Sequence, residues 1–340
     1  LALVEAIGPG RMVGPESVAA LQAGAQGTAT GAIAQRSAQT AQAVADTPPL
    51  QFLVDLFPEN LVGAMANNGG MLQSMVIAVV VGVAVLLVGR ERTEPFMRWI
   101  DSLDAVVLKL IDIVMRYAPI GVLALMAGMM ADTAGNFDLL GALGMYVLTV
   151  VVGLLAMIFV FYPLLLHFFA KVPVRKFLKT MSPVQLLAFT TSSSAATLPL
   201  NMETVERRLG VSQRVTSFVL PMGMTVNMDG TSLYQAVAAV FIAQVLGVDL
   251  SAGQLLTIVA TTTLSSIGTP GVPGGAVVIL MMVLSSVGLP AEGLALILGL
   301  DRPLDMLRTV VNVTGDATVA SIVDAHTEPE SKNAPGAGAE

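Results

Sequence analysis

The sequence predicts an all-α polytopic membrane protein, and three observations predict it. Hydrophobic residues make up 54% of the chain and charged residues only 12%, with a mean hydropathy of +0.77, whereas globular domains carry roughly 25% charged residues. Apolar segments long enough to cross a bilayer recur between short polar linkers. A single polar stripe, formed by Asp301, Asp305, Arg308, Asn312 and Asp316, falls within an arc of roughly 80° on a helix that advances about 100° per residue.

The chain opens on Leu-Ala-Leu-Val-Glu-Ala-Ile-Gly-Pro-Gly, with no basic leader before it. It reads as the tail of a span, so the chain is expected to start mid-protein. Residues 11–48 are rich in Ala, Gly, Gln, Ser and Thr without a sustained apolar period. Residues 1–48 are therefore expected to be the end of a span followed by a long flexible external loop. Three basic clusters, Arg90/Arg92/Arg98, Lys171/Arg175/Lys176/Lys179 and Arg207/Arg208/Arg214, face the cytoplasm by the positive-inside rule. The linkers near 132–138, 247–251 and 288–292 lack Lys and Arg and belong outside. Threading the apolar segments between these points gives four plain spans, at 71–89, about 103–130, 141–170 and 215–246.

Residues 180–206 begin and end beside cytoplasmic clusters, and residues 253–289 begin and end beside outer linkers. Each must enter the membrane and return. Each also carries a helix breaker at its middle, Thr-Ser-Ser-Ser-Ala-Ala-Thr-Leu-Pro at 191–199 and Gly-Thr-Pro-Gly-Val-Pro-Gly-Gly at 268–275. Non-helical backbone is tolerated at membrane depth only where it lines a cavity or is buried in protein. The order is hairpin, span, hairpin, span, with the second pair inserted from the opposite face, which is an inverted repeat and marks a transporter's binding site. The span at 215–246 is interrupted by Asn-Met-Asp-Gly-Thr at 227–231. In a soluble chain that string is a turn, but in an apolar run of this length it predicts an unwound helix whose oxygens suit hard cations such as Na⁺. The last span is placed at 293–322, and residues 326–340 read as a disordered cytoplasmic tail.

Ionised groups at bilayer depth cost at least ~2.5 kcal/mol each on the most lenient scale, so the stripe on the last span needs partners. It is either a structural salt-bridge seam or a substrate and ion path, and the path is the reading adopted. Other classes find little support. The chain has no cysteine, which excludes disulfides, thiol catalysis and Cys-ligated zinc, and its two histidines, His167 and His326, lie at a span end and in the tail. The net charge of −7 gives no reason to expect a nucleic-acid partner. The 19 methionines are scattered as gap-fillers through the spans, and Trp99 and Tyr117 read as interfacial anchors.

Four strings in order, Ser-Ser-Ser-Ala-Ala-Thr-Leu-Pro (192–199), Asn-Met-Asp-Gly-Thr (227–231), Gly-Val-Pro-Gly-Gly (271–275) and Asp-Met-Leu-Arg-Thr-Val-Val-Asn-Val-Thr-Gly-Asp (305–316), resemble the sodium:dicarboxylate (glutamate/aspartate) symporter family. The resemblance covers about residues 49–324. It implies a glutamate-transporter-like fold with two re-entrant helical hairpins and inverted repeats, the first three spans being largely absent. It also implies a homotrimer with scaffold and trimerisation spans at 49–131, and a transport domain at 138–324 that carries substrate and Na⁺ across by an elevator motion. The bilayer implied is the bacterial inner (plasma) membrane.

By resemblance, Asp305 holds the substrate ammonium and Arg308 its side-chain carboxylate. A planar guanidinium suits a carboxylate, and an aspartate one turn away suits an ammonium. Thr309 and Asn312 resemble the other contacts of the α-groups, and Ser193, Ser194, Thr231, Val272 and Ala276 those of the hairpins and the unwound helix. Co-transported Na⁺ would be bound by Gly223, Asn227, Asn312 and Asp316, by Thr225, Ser266, Ile267 and Thr269, and at a third place by Asp229.

The chain departs from the family at the second arginine that members commonly carry, whose places are taken by Ser192 and Met306. Arg302 either fills that role from one turn earlier or snorkels to the interface. Arg308 and Asp305 together point to L-aspartate or L-glutamate rather than a neutral amino acid, with cystine or a C4-dicarboxylate as alternatives on the same fold. Asp229 and Asp316 favour Na⁺ over H⁺ as the coupled ion. A passive anion channel would share the fold. An intramembrane aspartyl protease would need Tyr-Asp with Gly-x-Gly-Asp, whereas no tyrosine here precedes an aspartate and the one similar string is Val-Thr-Gly-Asp at 313–316. No enzymatic activity is expected.

Overall fold

The computed structural model describes residues 1–14, 71–117, 137–170, 172–266 and 275–327, together with positions 60, 63, 120, 121, 123, 124, 127 and 271. The expected external loop from residue 15 to 48, most of the outer half of the span at 103–130, the end of the chain beyond residue 327, and Ile267, Thr269 and Val272 lie outside the described residues. Among the described residues all regular structure is helical. In chain order the helices are α1 (Ala2–Ile7), α2 (Met71–Val88), α3 (Arg90–Met115), α4 (Phe137–Ala170), α5 (Val174–Thr191), α6 (Ser194–Thr204), α7 (Gln213–Val226), α8 (Asp229–Val245), α9 (Ala252–Ser266), α10 (Gly275–Ser286) and α11 (Ala295–His326).

Helix α4 is long and apolar enough to cross a membrane. Its inward residues begin at helical spacing, with Leu139, Ala142, Leu143, Tyr146, Val150 and Leu154 buried. Beyond that point they repeat every fourth residue, at Ile158, Tyr162 and Leu166. A regular α-helix would rotate such a series out of register. The π-helical turn Met157–Phe161 puts more residues in the turn and keeps the series facing inward, and a second one follows at Leu166–Ala170. Tyr162 comes directly after the first of them.

The two segments read as hairpins are each a pair of helices that pack against each other, α5 with α6 and α9 with α10. Ser192 ends α5 in the left-handed region (φ 51°), its N–H bonding the Ala188 carbonyl at 2.8 Å. Ser193 is extended and caps α6, its side chain accepting from the Ala196 N–H at 3.2 Å. The interrupted span is likewise α7 and α8, parted by Asn227 and Met228. The last helix runs unbroken through Pro303, so no break follows from that proline.

One hydrophobic core, from Val4 in α1 to Ala320 in α11, joins the N-terminal segment to α4 and everything after it. The segment 1–14 docks where Gly10 meets α8: a Cβ there would sit 2.5 Å from Gln244 Cβ and 2.8 Å from the Phe241 carbonyl oxygen. The Gly10 N–H also donates to Gln244 Oε1 at 3.0 Å. Helices α2 and α3 pack against each other and expose large apolar side chains, among them Leu86, Leu87, Val106 and Leu110.

Candidate functional site

The polar stripe lies along the inner face of α11, where Asp301, Asp305, Arg308, Thr309, Asn312 and Asp316 are all buried. Helices α5, α7 and α8 pack around that face. The helix carries the stripe intact because its polar residues recur every three or four positions while the residues between them, such as Leu304, Val311 and Val313, enter the hydrophobic core.

Arg308 is completely buried. Its Nη2 donates to Asp305 Oδ1 at 2.8 Å. Its Nη1 lies 3.0 Å from Asp301 Oδ1, yet out of line for a hydrogen bond. The guanidinium carbon stands 3.9 Å from the centre of the Tyr234 ring, a cation–π contact from α8. Nε and Nη1 donate no hydrogen bond among the described residues. On the open side, Arg302 Nη1 is 3.7 Å from Asp305 Oδ2. Asp305 is thus flanked by two guanidinium groups and Arg308 by two carboxylates.

One turn on, Asn312 stitches the stripe to the break between α7 and α8. Its Oδ1 accepts from the Gly230 N–H at 2.8 Å, and its Nδ2 reaches Met228 Sδ at 3.1 Å and Thr231 Oγ1 at 3.4 Å. Gly230 has to be glycine for this approach, since a Cβ would sit 2.7 Å from the Arg308 carbonyl oxygen. Asp316 accepts from Asn227 Nδ2 at 3.0 Å and faces Gly223, whose added Cβ would lie 2.5 Å from Asp316 Oδ1. Asp229 accepts from the Tyr162 hydroxyl at 2.8 Å.

The two helix-pair tips meet at the same place. Ser193 Oγ donates to the Gly271 carbonyl at 2.9 Å, and the Ala195 N–H reaches that carbonyl at 3.2 Å. Gly271 also abuts the α7 end, where a Cβ would be 3.2 Å from the Met224 carbonyl oxygen. Ser194 is buried next to Gly271 and Thr231 is buried beside Asn312, and Ala276 is held by Gln235, whose Nε2 donates to its carbonyl at 3.3 Å. Of the second ion set, Ser266 is buried and its hydroxyl bonds the Thr263 carbonyl at 2.8 Å. Thr225 is exposed, its hydroxyl turned back to the Met222 carbonyl at 3.1 Å.

Sequence reasoning placed Asp301 in the stripe without a role, and it passed over Tyr162 and Tyr234. Tyr234 carried a signal, because it follows Thr231 by three residues on the same helical face. Tyr162 carried none: a tyrosine in an apolar run reads as packing.

The profile of the sodium:dicarboxylate symporter family matches residues 1–326. The chain is similar to excitatory amino acid transporter 1 of Mus musculus, 42% identical over 244 residues that make up 72% of this chain and 45% of the relative. It is also similar to excitatory amino acid transporter 3 of the same species, 40% identical over 264 residues, 78% of this chain and 50% of the relative. A third relative, excitatory amino acid transporter 1 of Ambystoma tigrinum, is 43% identical over 235 residues, 69% and 43% of the two chains. The chain spans roughly half the length of these curated relatives or somewhat less.

Proposed function

Since the chain belongs to the sodium:dicarboxylate symporter family, we propose that it forms the substrate- and ion-binding part of a secondary active symporter that moves an acidic amino acid, L-aspartate or L-glutamate, together with Na⁺. The observation that carries this reading is Arg308, a fully buried guanidinium with Nε and Nη1 unengaged in hydrogen bonds and carboxylates on either side. Leaving such donors unused in an apolar interior is costly unless a ligand takes them. A carboxylate arriving on the Nε/Nη2 edge makes the bidentate pair that guanidinium geometry favours and displaces Asp305 from Nη2. As it does so, Asp305 is released to accept a substrate ammonium. Binding then exchanges the internal Arg308–Asp305 pair for two intermolecular ones, and the one net negative charge that the substrate's second carboxylate brings is offset by co-bound Na⁺.

In this reading the remaining site residues act in concert. Thr309 and Asn312 hold the α-groups, while Ser193, Ser194, Thr231, Val272 and Ala276 close over the substrate from the tips. Gly223, Asn227, Asn312 and Asp316 offer one Na⁺ its oxygens, Thr225, Ser266, Ile267 and Thr269 a second, and Asp229 a third. Because Asn312 and Asn227 link the break to the substrate stripe, ion entry at Asp316 orders the backbone that the substrate touches. The two helix pairs are re-entrant hairpins of an inverted repeat. Residues 138–324 move as a transport domain against a trimeric scaffold at 49–131, in the plasma membrane, the inner membrane of a bacterial cell.

The test is a calorimetric titration of the purified protein in NaCl and in choline chloride with L-aspartate, L-glutamate, cystine and succinate. Na⁺-dependent binding of aspartate or glutamate, weakened at least about tenfold in Arg308→Lys, is the expected result. Succinate or cystine binding in its place would transfer the assignment to a C4-dicarboxylate or cystine symporter.

A further inference from the structure

The substrate reading makes no use of the hydrogen bond between the tyrosine of α4 and the aspartate that opens α8. Tyr162 is nearly fully buried, and its hydroxyl donates to Asp229 Oδ2 at 2.8 Å. The same hydroxyl lies 3.3 Å from the Val311 carbonyl of α11. It reaches this point over Gly315, where an added Cβ would stand 2.7 Å from Tyr162 Oη, 2.9 Å from Asn227 Nδ2 and 3.1 Å from Asp229 Oδ2. Three separate elements therefore converge on one phenol oxygen, and both the π-helical turn before Tyr162 and the bare Cα of Gly315 make room for it.

We propose that Tyr162 is a positioning residue for cation binding: its hydroxyl pins Asp229 by Oδ2 so that the other carboxylate oxygen, Oδ1, is turned toward the cation. The inference rests on the reading of Asp229 as a Na⁺ ligand. A carboxylate free to rotate must be ordered when the ion arrives, and that ordering opposes binding. A phenol held in place by packing between α8 and α11 removes the cost in advance. The hydroxyl also supplies the half-buried carboxylate with a donor when no ion is bound, which lets the site empty during a transport cycle.

The experiment is a set of Na⁺ titrations on the purified protein, read by thermal stability and by aspartate binding at each Na⁺ concentration, for Tyr162→Phe, Asp229→Asn and the double variant. Phe keeps the ring and its packing, so a merely structural tyrosine would leave the Na⁺ dependence unmoved. Tyr162→Phe is expected to raise the Na⁺ concentration for half-saturation about tenfold, the scale of a lost hydrogen bond to a charged group. At saturating Na⁺ its aspartate affinity should return to that of the parent. In the Asp229→Asn background the same substitution should be silent. An unchanged or tightened Na⁺ response in Tyr162→Phe, with Asp229→Asn impaired, overturns the inference alone. An Asp229→Asn variant with normal Na⁺ dependence overturns the reading of Asp229 on which it rests.

Discussion

Arg308 has no solvent exposure and is held by Asp305, Asp301 and the ring of Tyr234. Truncating it to alanine would leave two buried carboxylates facing each other, a change worth about 3–5 kcal/mol in stability, so lysine is the informative replacement. Arg308→Lys keeps the charge but not the fork. It should fold, and it should bind L-aspartate at least about tenfold more weakly by calorimetry, a loss of about 1.4 kcal/mol. Gly223 makes an equally sharp case, because a methyl there would sit 2.5 Å from Asp316 Oδ1. Gly223→Ala should raise the Na⁺ half-saturation by about tenfold or more, while circular dichroism remains that of the parent. The stripe itself was legible because Asp, Arg and Asn at three- and four-residue spacing cannot be filler in an apolar helix. Its internal pairing was not legible: Asp301 could be seen in line with Arg308, but only the fold shows Arg308 turned toward both aspartates.

At the scale of elements, the breaks were readable and their contacts were not. Ser-rich and Gly/Pro-rich strings announced two interruptions, and Asn-Met-Asp-Gly-Thr a third. No local pattern could announce that Ser193 would bond a carbonyl 78 residues away at Gly271. That one hydroxyl caps α6 and ties the two tips. Ser193→Ala should therefore cost about 1 kcal/mol through the cap and loosen the tip contact. With no cysteine in the chain, a single Ala195→Cys reporter would show the loosening as faster maleimide labelling. Ser192 holds a left-handed conformation that glycine adopts without strain. Ser192→Gly should hold or raise the melting temperature, and Ser192→Val should lower it by the equivalent of about 1–2 kcal/mol.

For the whole molecule, composition alone announced a membrane protein, and the four motifs placed it among the symporters that the comparison then showed. What composition concealed was how the N-terminal segment joins the rest. Residues 1–14 read as a span's end leading into a loop, and in the fold Val4 is fully buried and Gly10 lies against α8 with no space for a methyl. Gly10→Ala should undock the segment and lower the melting temperature by the equivalent of about 1–3 kcal/mol. The segment then packs into the same hydrophobic core as the helix that carries the stripe. Gradient-driven uptake is the most direct trial of this account. The protein in liposomes, given labelled L-aspartate and an inward Na⁺ gradient, is predicted to accumulate aspartate above its external concentration. Arg308→Lys is predicted to abolish the accumulation. Equilibration that never exceeds the external concentration would make the protein a passive pathway, and accumulation indifferent to Na⁺ would contradict the coupling assigned to Asp229 and Asp316.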